Sequence, residues 1–257
     1  MEPKQYSYKP TFSFIIAMKE SLTRQSATVL KFFTGFIRIR GVCTWLVISF
    51  IGFLLGITSL EITRYLLSLG FFIISTFFIL SFTFSINNYY DVDTDKENPR
   101  RAALNVLASG TISKHTGMIL NLLFIIVPLV LSLFITWKAF VFCAFLLLFM
   151  WMYSAPPLRL KGRPGLDIIW HFIALFALVL WGAFLAGFIS RISILVAISF
   201  GVYGCFAQLD NHIHDYPFDK ASGSITFAVR MGLPTTYKAL IATFLLYIVS
   251  LLPLLIL

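Results

Sequence analysis

Residues 65–86 read YLLSLGFFIISTFFILSFTFSI without one charged side chain, and the next ten, Asn87-Asn88-Tyr89-Tyr90-Asp91-Val92-Asp93-Thr94-Asp95-Lys96, carry four. A helix that crosses a bilayer needs about 20 mostly apolar residues. The first stretch meets that length and the second marks where the chain leaves the membrane. Six other stretches qualify in the same way: 42–60, 117–136, 139–155, 166–188, 192–209 and 239–257. Seven spans imply an all-α fold, a polytopic transmembrane helical bundle. Composition agrees, since 59% of the 257 residues are hydrophobic and 12% charged, whereas a soluble domain carries about 25% charged residues. A soluble enzyme, a disordered chain and a disulfide-stapled secreted module are excluded. Cys43, Cys143 and Cys205 stand singly in apolar runs without metal-ligand spacing, so they read as small core residues.

Ahead of the first span lies a basic leader, residues 1–41, whose apolar patches at Phe12 to Met18 and Val29 to Phe36 suit a segment lying on the membrane surface. It is polar and basic for too long to be a cleavable signal. The domain organisation expected is this cytoplasmic or interfacial leader, then one transmembrane domain over 42–257. Of the 20 Lys and Arg, seven lie in the leader, four in 87–116, three in 156–165 and three in 210–238. The opposite side holds only Arg64, Lys138 and Arg191. By the positive-inside rule the N-terminus and the three long loops are cytoplasmic. The formal net charge of +9 therefore belongs to membrane topology, and no nucleic-acid partner is expected.

Seven of the eleven acidic residues sit in two of those loops: Asp91, Asp93, Asp95, Glu97, and Asp210, Asp215, Asp219. Both clusters read Asn-x-x-x-Asp-x-x-x-Asp-Lys, from Asn87 and from Asn211. On a helix, side chains four apart share a face, which aligns Asn87, Asp91 and Asp95, and likewise Asn211, Asp215 and Asp219. Asp93 points away. Such closely spaced carboxylates repel unless a cation neutralises them. Mg²⁺ is held by one or two carboxylates plus substrate phosphates, so two facing helices of this kind suit two or three ions gripping a diphosphate, with Mn²⁺ as a substitute. The third loop, Tyr153-Ser154-Ala155-Pro156-Pro157-Leu158-Arg159-Leu160-Lys161, brings cations to the same face. An extended chain there would aim Arg159 and Lys161 at one anion.

Three motifs in this order, across residues 38 to 232, resemble the UbiA superfamily of intramembrane prenyltransferases. The stretch from Asp219 to Gly232 is also similar to that family's sequence after its second aspartate motif. The resemblance implies a bundle around a central cavity capped by the two aspartate helices, and Mg²⁺-dependent binding of a prenyl diphosphate. It implies transfer of the prenyl group, through an allylic cation, to a hydrophobic or aromatic acceptor within the lipid bilayer. Metal ligands are then Asn87, Asp91, Asp95, Asn211, Asp215 and Asp219. Diphosphate contacts are Lys96, Arg159, Lys161 and Lys220, with Arg38 or Arg40 from the leader. Tyr153 orients the diphosphate or the carbon leaving it, and Tyr153 and Lys161 join the four aspartates as catalytic residues. Tyr89, Tyr90 and Trp151 lie near the motifs. The sequence departs from the family in three respects: Asn88 where Asp is common, Pro217 where a break in the second helix is expected, and seven spans where nine are usual.

Two readings stand beside this one. A terpene cyclase or lyase would ionise the same diphosphate without an acceptor, and a cation-binding transporter would do no covalent chemistry. His212 and His214 are read as capping a helix or facing the cytoplasm. Asp167, in the first turn after Pro164-Gly165, is read as favoured by the helix dipole.

Overall fold

With no water in the hydrocarbon layer, each spanning segment must satisfy its backbone internally, and the apolar runs accordingly form helices. The structure is a computed structural model that describes residues 26, 28–58, 61–97 and 99–255. Most of the leader, including the patch from Phe12 to Met18, lies outside the described residues. The helices are α1 (Ile39–Leu55), α2 (Ile62–Tyr90), the short α3 (Val92–Lys96) and α4 (Pro99–Leu104), then α5 (Lys114–Ile135) and α6 (Trp137–Ser154). They are followed by α7 (Leu166–Ala186), α8 (Arg191–Ala221), the short α9 (Phe227–Met231) and α10 (Leu233–Leu251). Among the described residues six helices are long and apolar enough to cross a membrane alone. Counted together with α1, which it meets at a bend of 49°, Thr28–Phe36 raises that number to seven. The break sits where Arg38 takes a left-handed conformation, φ 55°. Phe36 and Ile37, beside it, are buried in the core.

Helix ends follow local chemistry. Ser113 and Thr136 cap α5 and α6 through the amides of Thr116 and Ala139, and Ser190 with Ser193 forms a capping box on α8. At about 1.5 Å per residue, the 29 residues of α2 and 31 of α8 exceed the ~30 Å hydrocarbon layer. The first aspartate motif runs from the last turn of α2 into α3 and the second lies in the last turns of α8, and the Arg101–Asp219 pair joins the two regions at the same end of the bundle. The expected break at Pro217 does not occur, because α8 continues through it to Ala221. The proline sits near the helix end, where losing one backbone bond is tolerated.

In lipid, helices associate by close packing and interhelical hydrogen bonds rather than by a hydrophobic force. α7 is the central helix, with Trp170, Leu178 and Trp181 buried. It meets α1 backbone to backbone. A Cβ on Gly52 would lie 1.9 Å from the Val179 carbonyl oxygen, one on Gly56 2.2 Å from that of Ala183, and one on Gly182 2.0 Å from that of Ser49. Ser49 Oγ donates to the Leu178 carbonyl at 2.6 Å, and Trp181 Nε1 to Thr76 Oγ1 at 3.1 Å. On the α5 side, Ser85 Oγ donates to Asn121 Oδ1 at 2.6 Å. Cys143 is buried as expected, but Cys43 is exposed. It lines an apolar groove of 570 Å³ between α1, α8 and α10, with Val47, Ile51, Phe200, Tyr203 and Tyr247.

Candidate functional site

The first motif remains helical across its junction. Asp91 takes right-handed helical angles between α2 and α3, its amide donates to the Asn87 carbonyl at 3.1 Å, and the Asp95 amide donates to that of Asp91 at 2.8 Å. Asn87, Asp91 and Asp95 are thus stacked at intervals of four, and Asp93 is exposed on another face. Lys161 Nζ donates to Asn87 Oδ1 at 2.8 Å and also to Asp91 Oδ1, and Arg159 Nη2 reaches the same Asp91 oxygen at 3.5 Å. Ser154 Oγ adds a bond to Asn87 Oδ1 at 3.1 Å. The loop is not extended as expected. Arg159 is left-handed, φ 38°, and Leu160–Gly162 forms one 3₁₀ turn, so the two cations converge by curling rather than by alternation. Burial pulls the Lys161 ammonium below its ordinary range, while Asp91 opposes that shift.

Asn88 has a different task from its neighbours. It is fully buried, its Nδ2 donates to the carbonyls of Gly35 and Phe36 at 2.7 and 3.1 Å, and its Oδ1 accepts from Arg38 Nη2 at 2.6 Å. An amide can both donate and accept, whereas an ionised carboxylate only accepts. This accounts for Asn at a position where Asp is common: here it clamps the chain ahead of α1. Arg38 retains accessible surface yet is surrounded by protein, and it is close enough to interact electrostatically with Asp91 and Asp95.

Arg101 and Asn105 escaped the sequence reading. Asn105 Nδ2 donates to Asp95 Oδ2 at 2.8 Å and to the Asn88 carbonyl at 2.9 Å. Arg101 Nη2 pairs with Asp219 Oδ1 at 3.2 Å, joining the segment after the first motif to the second motif on α8. Neither has a periodic or spacing signal, because Arg101 lies in the six-residue α4 and Asn105 just after it, too short a stretch to show a pattern. Asp219 is buried, while Asn211 and Asp215 are exposed on α8. Lys96, Arg40 and Lys220 are exposed too, and the ion pairs found among the described residues do not bring them to a carboxylate. Lys220 Nζ instead lies 5.7 Å from the Tyr216 ring centroid.

Tyr153, the last aromatic residue of α6, packs on Trp170 with ring centroids 4.2 Å apart and meets His171 edge-on at 5.4 Å. His214 is exposed, as expected. His212 is not: it is buried, with Nε2 2.7 Å from Asp167 Oδ2. Asp167 itself accepts from the Gly165 amide at 3.0 Å, in keeping with its place in the first turn of α7.

Among the described residues no three His, Cys, Asp or Glu side chains converge on one point that an ion could fill. The donor set nonetheless suits a hard divalent cation whose coordination is shared. Each motif offers an amide and two carboxylates in the four-residue stack, and Mg²⁺ takes its remaining ligands from phosphate and water.

Residues 42–257 match the UbiA prenyltransferase family. A lycopene elongase/hydratase of Corynebacterium glutamicum is 26% identical over 181 residues, 65% of this chain and 62% of that protein. A digeranylgeranylglyceryl phosphate synthase of Pyrococcus horikoshii is 26% identical over 152 residues, 58% of this chain and 51% of that one. The matched regions thus span less than two thirds of either relative. The structure of a UbiA homolog from Archaeoglobus fulgidus bound to GPP and Mg²⁺ superposes with a TM-score of 0.72 at 24% identity, covering 86% of this chain and 76% of that one.

Proposed function

The chain belongs to the UbiA prenyltransferase family, and from that premise we propose that it transfers a prenyl group from a prenyl diphosphate to a hydrophobic or aromatic acceptor within the membrane. The observation that carries this reading is the convergence of Lys161 and Arg159 on Asp91, in line with Asn87 and Asp95. Acid and base from distant loops meet there at the membrane end of α2. A carboxylate stack paired with Lys and Arg side chains can exchange those partners for a metal-bound diphosphate. The Archaeoglobus relative, which holds GPP and Mg²⁺, supports the choice of ligand class.

Asp91, Asp95 and Asn87, with Asp215, Asp219 and Asn211, would hold two or three Mg²⁺ ions, with Mn²⁺ able to replace them. Bound Mg²⁺ neutralises charge building on the leaving diphosphate. Lys161, Arg159 and Arg38 supply charge-assisted hydrogen bonds to diphosphate oxygens. Lys96, Lys220 and Arg40 add a weaker outer field. The face of Tyr153, backed by Trp170, lies beside this site, where it stabilises an allylic cation. The three motif segments and the leader face the cytoplasm in this proposal, on the strength of the basic-residue asymmetry.

Incubating the membrane-embedded protein with labelled geranyl diphosphate, Mg²⁺ and a panel of acceptors tests the reading. Acceptor-dependent diphosphate release and a prenylated product are expected. Release with a cyclised or eliminated product and no acceptor would make it a cyclase or lyase, and no release under any condition would favour a transporter. Cysteines placed at residues 97, 162 and 222 should react only from the cytoplasmic side, and labelling from outside would overturn the topology.

A further inference from the structure

Asn105 sits just after α4 with 2% of its surface exposed, and Asp95, which it touches, is 8% exposed. Both polar atoms of the Asn105 side chain are engaged. Its Nδ2 donates to Asp95 Oδ2 at 2.8 Å and to the Asn88 carbonyl, near the end of α2, at 2.9 Å. Its Oδ1 accepts from the amides of Leu107 and Ala108 at 3.0 and 3.4 Å. Turning the amide over would set its oxygen against the Asn88 carbonyl and the Asp95 carboxylate, so these partners permit one orientation. Val106 and Leu107, the next residues, are buried. They pack so closely that a Cβ on Gly35 would fall 2.7 Å from Val106, and one on Gly117 2.8 Å from Leu107. Closing this turn requires only the Asn105 oxygen. The nitrogen, aimed at a carboxylate of the first motif, serves something else.

We propose that Asn105 is a specificity-determining residue for the metal: by holding Oδ2 of Asp95 it presents Oδ1 alone, and so favours Mg²⁺ over Ca²⁺. The proposal rests on the reading of Asp95 as a metal ligand given above. Ca²⁺ gathers about six to eight oxygens in a flexible shell and takes a carboxylate through one oxygen or both, whereas Mg²⁺ is smaller and demands a near-octahedral set. With Oδ2 bonded to a buried amide, Asp95 can chelate Ca²⁺ only by giving up a charge-assisted hydrogen bond. That loss corresponds to roughly 10- to 150-fold in affinity. Mg²⁺, served by a single oxygen, leaves the bond intact.

The test uses the full chain in nanodiscs of zwitterionic lipid, with Mn²⁺ alone as the probe and its electron paramagnetic resonance signal as the readout. Mg²⁺ and Ca²⁺ are titrated separately as competitors, and the ratio of their inhibition constants cancels any change in Mn²⁺ affinity. Asn105→Ala should shift that ratio toward Ca²⁺ by about 10-fold or more. Asn105→Ser keeps an acceptor for the amides of the turn but loses the nitrogen, and it should give the same shift where the alanine variant does not fold. Leu107→Ala loosens the same buried turn without removing the bond to Asp95, and it should move the ratio less than about twofold. An unchanged ratio in the Asn105 variants, or an equal shift in Leu107→Ala, overturns the proposal and leaves the reading of the site in place. Failure of the wild-type protein to bind Mn²⁺ overturns both.

Discussion

Lys161 should have opposite effects on the two ligands of the site, and Lys161→Met separates them. In the structure its ammonium bonds to Asn87 and Asp91, with the Lys161 and Asp91 side chains 17% and 19% exposed. Solvent screening is therefore modest. A divalent ion at Asp91 must compete with that ammonium, so removing the charge frees the carboxylate, and Arg159 at 3.5 Å and 46% exposed is a weak replacement. A hydrogen bond to a charged group contributes roughly 1.5–3 kcal/mol, which at 1.36 kcal/mol per decade is about 10- to 150-fold in a binding constant. Mn²⁺ alone, followed by electron paramagnetic resonance, should bind tighter in Lys161→Met by up to that factor. Labelled geranyl diphosphate in the presence of Mg²⁺ should bind about 10- to 150-fold more weakly, because the same ammonium is then lost from a diphosphate oxygen. Methionine keeps most of the stem's packing, so a general loosening of the loop is controlled for. If Mn²⁺ affinity falls together with diphosphate affinity, Lys161 only supports the loop and the exchange of partners is refuted.

Asp91→Ala and Asp215→Ala should each abolish diphosphate release while Asp93→Ala, exposed on another face, stays within about threefold of wild type; equal damage at Asp93 would refute the single-face stack. Arg101→Ala should leave buried Asp219 without its 3.2 Å partner and cost about 1–3 kcal/mol, read as a lower thermal midpoint, and in an Asp219→Asn background the added loss should shrink. Asn88→Asp replaces two donated bonds to Gly35 and Phe36 with lone pairs facing carbonyl oxygens, and a destabilisation of about 1–3 kcal/mol is expected in the same assay. Gly182→Leu should eliminate folded protein on size-exclusion chromatography, since even a Cβ there falls 2.0 Å from the Ser49 carbonyl, whereas Gly70→Ala meets nothing within 4 Å and should fold normally.

Much of the site was legible because its signal is local. Spacing by four placed Asn87, Asp91 and Asp95 on one stack, and the backbone bonds through Asp91 preserve it. The loop after α6 was rightly assigned to the carboxylate face, yet the route was misread: Arg159 and Lys161 meet at Asp91 through a left-handed residue and a 3₁₀ turn. His212 was read as capping a helix or facing the cytoplasm. In the bundle one face of that turn of α8 lies against α7, and the histidine finds Asp167. Asn88 looked like a departure from a metal motif, and its neighbours in space show it to be a clamp.

By itself the sequence determined the helical class, the seven apolar segments, the gathering of three motif loops at one end, and the two aspartate stacks. Each depends on hydrophobic length, on charge asymmetry or on the 3.6-residue period, and all three are properties of neighbours along the chain. Only the tertiary structure decided who partners whom: Lys161 with Asp91, Arg101 with Asp219, His212 with Asp167, and Arg38 with Asn88. The physical reason lies in the solvent. Lipid is as apolar as the helix faces, so hydrophobicity places a segment in the membrane without choosing its neighbours. That choice falls to close backbone contacts such as Gly52 and Gly182 and to a few buried hydrogen bonds, whose partners lie on different helices and share no pattern in the sequence.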